Sequence, residues 1–181
     1  TNGMSNYHRD SKIANAALLV TVSPQDFGTD VLAGIEFQRK CETLAFQCAG
    51  RNYYAPVQTV GDFLSGRSGS TNFLTIPTYI PGVTAVDLHN CLPKVVTDTL
   101  SLALQCFDHK IKGFADEGAA MTGVETRSSA PCRILRGPNY VSENTLGLYP
   151  MGEGAGYAGG IMSAAIDGIN TALAFIQQNE A

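Results

Sequence analysis

The stretch that decides how this chain folds near its C-terminus is YPMGEGAGYAGGI, residues 149–161. Five of the nine residues from 152 to 160 are glycine, and they stand between a short apolar run at 146–149 and an alanine-rich helical pattern. Glycine allows left-handed backbone and lets a ligand approach the main chain closely. The first N–H groups of a helix lack internal partners and carry partial positive charge. The stretch therefore predicts a strand, a tight glycine loop and a helix N-terminus that can hold an anionic group.

The glycine stretch admits three interpretations. Residues 154–159 match the pattern G-x-G-x-x-G, but a Rossmann fingerprint needs a further strand and an acidic residue about 20 positions on, and only one helix follows here. A second interpretation takes Gly152 and Glu153 as an element that approaches a flavin cofactor from its far side. The Glu153 carboxylate then accepts hydrogen bonds from ribitol hydroxyls. The third is a glycine-rich connection that packs tightly against its own sheet.

The remaining pattern predicts an α+β fold with a small mixed or antiparallel sheet flanked by helices. The continuous apolar run at 16–22 predicts a buried strand, and the alternation at 57–60 predicts a short one. Residues 121–127 and 132–135 alternate in strand fashion and predict a hairpin or a bent pair of strands. Helical periodicity and helix-end residues predict helices over 31–48, 93–110 and 159–177.

The composition excludes several classes of protein. The chain has 181 residues, of which 44% are hydrophobic, so it can bury a core, while its 15% of charged residues is well below the usual quarter. The low charge indicates a surface covered by a partner. A net charge of −4 without a basic run argues against nucleic-acid binding. The chain has no apolar run of about 18 residues, no signal-peptide pattern and no Cys/His cluster with metal spacing. We therefore expect a cytoplasmic protein that binds no metal, membrane or nucleic acid.

Four segments together resemble the C-terminal region of a bacterial family of FAD-dependent dehydrogenases whose substrates are uncharacterised. The segments are residues 149–169, residues 1–5 with Arg9 and Asp10, residues 33–40 and residues 123–134. The resemblance covers essentially the whole chain. Members also carry an N-terminal half with a Rossmann fingerprint, which this sequence lacks. The resemblance therefore implies the C-terminal part of a flavoprotein oxidoreductase, with the N-terminal half of the same polypeptide as its partner.

The resemblance also implies roles along the chain. Residues 1–118 are expected to form an inserted, substrate-side domain, and residues 119–181 the returning segment that completes the FAD-binding domain. The implied cofactor-binding residues are Gly152, Glu153, Gly154, Gly156, Gly159, Gly160 and Ile161. The substrate-side candidates are Arg127, Ser128 and Arg133, for which the alternative is a structural hairpin with solvated arginines. No catalytic residue is implied.

Two statements about activity follow from these roles. The full-length parent is expected to hold FAD, while this piece alone is expected to bind none and to be inactive. The alternative from another functional class is an autonomous ligand-binding or protein-binding domain without redox chemistry. A yellow full-length protein would favour the flavoenzyme.

Overall fold

The computed structural model of the chain describes residues 7, 8, 10, 13–127 and 129–180. The described residues form two compact units. Unit 1 contains the described residues up to Asp26 together with Arg39–Thr126, and unit 2 contains Phe27–Gln38 together with the described residues from Arg127 onward. The helices are α1 (Pro24–Phe27), α2 (Ala33–Cys48), α3 (Val60–Ser65), α4 (Lys94–Lys110) and α5 (Ile161–Asn179), and the strands are β1 (Ala55–Thr59), β2 (Val83–Ala85) and β3 (Ala120–Thr122).

The sheet of unit 1 has three strands in the order β2-β1-β3. Strand β1 lies in the middle, parallel to β2 with Ala55 opposite Val83, and antiparallel to β3 with Val57 opposite Thr122. All five residues of β1 are buried. The predicted α+β fold with a small mixed sheet flanked by helices is confirmed.

The core of unit 1 forms where two helices meet this sheet. Phe63 of α3, Leu104 of α4 and Leu88 are each no more than 2% exposed and belong to one apolar cluster. Helix α3 begins at the end of β1, where the Thr59 side chain accepts a hydrogen bond from the Asp62 N–H at 3.2 Å. This N-cap turns the chain directly from strand into helix, so that Phe63 enters the core.

Unit 2 is dominated by α5, which is apolar and lightly charged. Asp167 is its only charged residue, and Thr171 is its only buried one. The helix begins after Gly160, whose N–H donates to the Ser163 hydroxyl oxygen at 3.2 Å. Most of the large apolar side chains of α5 are exposed to solvent.

The three predicted helices are present in the structure. Helix α2 matches the helix predicted over 31–48, α4 the one over 93–110, and α5 the one over 159–177. The strand predicted at 57–60 corresponds to β1. The predicted boundary after residue 118 divides the chain by function, which the two compact units do not test. This boundary therefore stays a prediction.

Three of the predicted strands are wrong. Residues 16–22 form no strand, although Leu18 and Val20 pack against the core of unit 1, so the apolar run is used for packing without a neighbouring strand. Residues 146–149 also form no strand, because the chain turns at Gly147, where φ is +73°. The hairpin is absent as well. Only β3 forms, and its partner is β1 rather than residues 132–135.

Candidate functional site

The glycine loop of unit 2 is held by its own backbone and by the helix that follows it. The Gly156 N–H donates to the Glu153 carbonyl at 2.9 Å, and the Tyr157 N–H donates to the Gly152 carbonyl at 3.1 Å. The Gly152 N–H donates to the Asp167 carboxylate, two turns into α5, at 2.8 Å. Gly152 and Gly156 both adopt positive φ, +68° and +85°, which accounts for glycine at these two positions.

A charged pair ties this loop to α5. The Arg136 guanidinium forms a bidentate pair with Asp167, at 2.6 and 3.0 Å, and also donates to the Pro150 carbonyl at 2.6 Å. The two side chains are only 9% and 15% exposed. Hydrogen bonding to Arg136 lowers the pKa of Asp167, and the same contact raises the pKa of Arg136. Both groups are therefore charged at neutral pH.

Two arginines contact the ring of Tyr157. The guanidinium carbon of Arg136 is 3.7 Å from the centre of its ring, and that of Arg133 is 4.9 Å away. The Tyr157 hydroxyl accepts a hydrogen bond from the backbone N–H of Arg136 at 3.0 Å and donates one to the Ile134 carbonyl at 3.1 Å. The ring therefore links the loop to the segment around residue 134 and holds Arg133 beside the loop.

A polar cavity of about 320 Å³ opens next to this ring. It is lined by Ser129, Ala130, Arg133, Gly156, Tyr157, Ala158 and Gly159. The Arg133 Nε donates to the Gly156 carbonyl at 2.9 Å, which brings the guanidinium to the cavity wall. Within the described part of the chain, the N–H groups of Gly159 and Ile161 have no acceptor. One cation and amide donors near a helix N-terminus suit an anionic or oxygen-rich group.

The structure brings three of the predicted site residues together at this cavity, namely Gly156, Gly159 and Arg133. Gly156 is glycine for an internal reason, because a Cβ there would lie 2.6 Å from the Cys132 carbonyl oxygen. Gly152 is buried, and its N–H is taken by Asp167.

The other predicted residues that the structure describes lie outside the cavity wall. Glu153 and Gly154 are exposed on the outer side of the loop, and no atom lies within 4 Å of a Cβ built at Gly154. Gly160 caps α5, and Ile161, which begins the helix, is 91% exposed. Arg127 is exposed in unit 2, and Ser128 lies outside the described residues. Their functional roles stay predictions.

The sequence analysis missed the pair that organises the site. Arg136 and Asp167 are 31 positions apart, and neither belongs to the glycine motif. One signal was available, because Asp167 is the only charge in an apolar 19-residue helix, where an acid usually has a partner. The choice of Arg136 as that partner depends on the tertiary structure.

Comparison with known proteins identifies the class. The family described as "FAD-dependent protein, C-terminal domain-like" matches residues 1–128, so the chain belongs to this family. An uncharacterised protein of Clostridium beijerinckii is 51% identical over 179 residues. That alignment covers 98% of this chain and 34% of the relative, so the chain spans about a third of the relative's length. The glycine loop lies beyond the residues that the family matches.

The site fits part of a flavin dinucleotide rather than the whole of it. The cavity of about 320 Å³ lies at the low end of small-molecule sites, while its cation and amide donors suit a phosphate or hydroxyl-rich portion. Within the described residues no group of three metal-ligating side chains occurs. In the same part of the chain, every helix is too short or too polar to cross a bilayer.

Proposed function

We propose that this chain is the C-terminal part of a cytoplasmic FAD-dependent dehydrogenase and that unit 2 completes its flavin site. The observation that carries the proposal is the polar cavity just before α5, where Arg133 and Gly159 line the same wall. Family membership supports FAD as the cofactor of the complete protein. When bound, FAD supplies the hydride chemistry, and the chain binds and orients it.

The loop residues have separate roles in this proposal. Arg133 and the amide donors of the helix start face the anionic portion of the cofactor. The Glu153 side chain is exposed, and its carboxylate accepts hydrogen bonds from the ribitol hydroxyls. Residues 1–118 shape the substrate side, with Arg127 and Ser128 as substrate-side candidates.

The apolar side of α5 supports a partner from the same polypeptide. Its stripe of large side chains recurs at intervals of four and three residues, as on one face of a helix. The stripe consists of Met162, Ile166, Ile169, Leu173 and Ile176, which are 45–72% exposed. The homologous relative has about two thirds of its length outside the aligned region. We propose that the N-terminal FAD-binding half covers this stripe.

The proposal is tested by FAD retention in the longer polypeptide and in this chain alone. We expect the longer polypeptide to be yellow and the chain alone to be colourless. In the longer polypeptide, Glu153→Ala should weaken FAD binding by about 1.5–3 kcal/mol, the loss of a charged hydrogen bond. As a control, Glu143→Ala removes another exposed acid of unit 2 and should leave the affinity for FAD unchanged.

Two results would count against this proposal. A colourless longer polypeptide that gains no flavin spectrum on added FAD would favour a binding domain without redox chemistry. Equal FAD affinity in the wild type and in Glu153→Ala, measured by titration, would remove the assigned role of Glu153 while leaving the flavin function in place.

A further inference from the structure

Unit 1 contains a cavity of about 500 Å³ that is rich in aromatic side chains. Four of its eleven lining residues are Phe or Tyr, whereas aromatic residues make up 8% of the chain. These four side chains, called the aromatic wall below, are Phe46, Tyr53, Tyr54 and Tyr79. The volume lies within the range of about 300–1,000 Å³ that small-molecule sites occupy. All lining residues belong to unit 1, so this cavity shares none with the polar cavity of unit 2.

One member of the aromatic wall lies in a strained turn after α2. Tyr53 has a φ of +64°, which is uncommon for a bulky residue, and such backbone strain is concentrated at binding and active sites. The centre of its ring is 5.0 Å from that of Phe46, with the two ring planes tilted by 53°. Tyr53 is nevertheless 76% exposed, so the chain itself covers little of the ring. Tyr53 therefore presents aromatic surface that a ligand can cover.

A second ring packs against the main chain of the segment before β2. A Cβ built at Gly82 would lie 2.9 Å from the Tyr54 Cε2, so glycine at this position leaves room for the ring. The Tyr54 N–H donates to the Asn52 side-chain oxygen at 3.1 Å, and the Ala55 N–H donates to the Gly82 carbonyl at 3.0 Å. These backbone contacts fix the position from which the ring extends, and Tyr54 is still 39% exposed.

The rest of the lining is mostly small and apolar. It includes Ala45, Ala55, Pro56, Gly123 and Val124. Ala45 and Ala55 are 7% and 6% exposed, so they belong to the buried part of the lining. Small side chains leave the cavity unfilled, and a ligand that enters it contacts aliphatic carbon as well as aromatic rings. Such a lining suits an apolar group with few hydrogen-bonding atoms.

We propose that this cavity binds a small aromatic compound other than the flavin, through contacts between its ring and the aromatic wall. Pairs of aromatic rings in offset-stacked or edge-to-face contact gain free energy beyond the burial of apolar area, and a saturated ring of the same size does not gain this part. Ring contacts need no charged partner, so binding does not require the charge of Glu42, which also lines the cavity. Flavin binding is not required either, because every lining residue lies in unit 1.

The test is an NMR titration of the chain with two neutral probes, benzyl alcohol and cyclohexylmethanol, which have the same number of heavy atoms and the same hydroxymethyl group. Cyclohexylmethanol is the more hydrophobic of the two, so hydrophobic burial alone would favour it. We expect saturable binding of benzyl alcohol, with cyclohexylmethanol about 2- to 10-fold weaker. Added FAD should not displace benzyl alcohol.

Variants of the chain locate the binding site of benzyl alcohol. Tyr53→Leu and Tyr79→Leu each remove one ring of the aromatic wall and should weaken the binding about 2- to 10-fold. The matched control is Tyr7→Leu, which removes a 93% exposed ring of unit 1 outside the cavity and should leave the affinity unchanged. Circular dichroism of each variant establishes that the chain is folded in the titrated sample.

Four outcomes would overturn the assignment. One is the absence of saturable binding of benzyl alcohol to the folded chain. Another is binding of cyclohexylmethanol as tight as that of benzyl alcohol, which would mean that the rings contribute only apolar area. The third is an affinity that stays the same in both Tyr53→Leu and Tyr79→Leu. The fourth is displacement of benzyl alcohol by FAD, which would make the cavity a part of the flavin site.

Discussion

At the scale of single residues, the glycines of the 152–160 loop are not equivalent. Gly156 combines a φ of +85° with a neighbouring carbonyl oxygen that a Cβ would approach to 2.6 Å, whereas Gly154 has open space around it. Sequence spacing treats these two positions alike. The structure shows that the fold requires glycine at position 156, whereas position 154 has room for a side chain.

We predict that Gly156→Ala lowers the free energy of unfolding of unit 2 by roughly 2–4 kcal/mol, through left-handed strain and steric overlap. Gly154→Ala is the matched control and should change the free energy of unfolding by less than about 0.5 kcal/mol. Urea denaturation monitored by tyrosine fluorescence compares the two variants. Equal stability of both would mean that the close approach of Gly156 to Cys132 does not occur in solution.

At the scale of elements, the loop and α5 are joined by one charged pair. Asp167 accepts hydrogen bonds both from Arg136 and from the Gly152 N–H, so one carboxylate holds the loop against the helix. Because both side chains are largely covered, removal of one partner leaves the other charge without compensation.

We expect Asp167→Asn to destabilise the chain by about 2–4 kcal/mol at pH 7. The pKa of Asp167 is lowered from its ordinary 3.8, so its stabilising contribution is complete above that value and is lost as the pH falls through the lowered pKa. The difference between wild type and variant should therefore shrink in acid. Denaturant titrations at several pH values measure this difference.

The control for this prediction is Asp98→Asn, which removes the exposed partner of Lys94 on α4. Exposed pairs at i and i+4 contribute about 0.3–0.5 kcal/mol, so this variant should differ little from wild type. If Asp98→Asn lost as much free energy of unfolding as Asp167→Asn, a general charge effect rather than the Arg136 pair would determine stability.

At the scale of the whole molecule, α5 carries a continuous stripe of exposed apolar side chains. A helix of a water-soluble domain normally turns its apolar stripe inward, but here the side chains of the stripe are exposed. An exposed apolar patch of this kind marks a contact surface. We therefore expect the chain by itself to self-associate through α5.

The double variant Ile166→Gln/Ile169→Gln should reduce this association, measured by light scattering over a range of concentrations. Both residues are more than half exposed, so the stability of the chain itself should change little. Leu19→Gln/Leu74→Gln alters two exposed apolar side chains of unit 1 and should leave association as in wild type. Association that persists equally in both double variants would exclude α5 as the contact surface.

Local signals were sufficient for the helices and the fold class. Periodic apolar positions and helix-end residues act over one or two turns, so α2, α4 and α5 could be predicted from neighbouring residues alone. The short central strand β1 could be predicted for the same reason, from alternation within a few positions. The glycine motif likewise marked the start of α5 and two residues that line the unit 2 cavity, Gly156 and Gly159.

Strand pairing and side-chain partners depend on residues far apart in sequence. The apolar run at 16–22 has the composition of a strand, but a strand also needs a neighbour, and none pairs with it in the described part of the chain. The Arg136–Asp167 pair arises in the same way, from a contact that no local pattern encodes. Local backbone preference was readable in the sequence, whereas these long-range contacts were decided by how the chain packs.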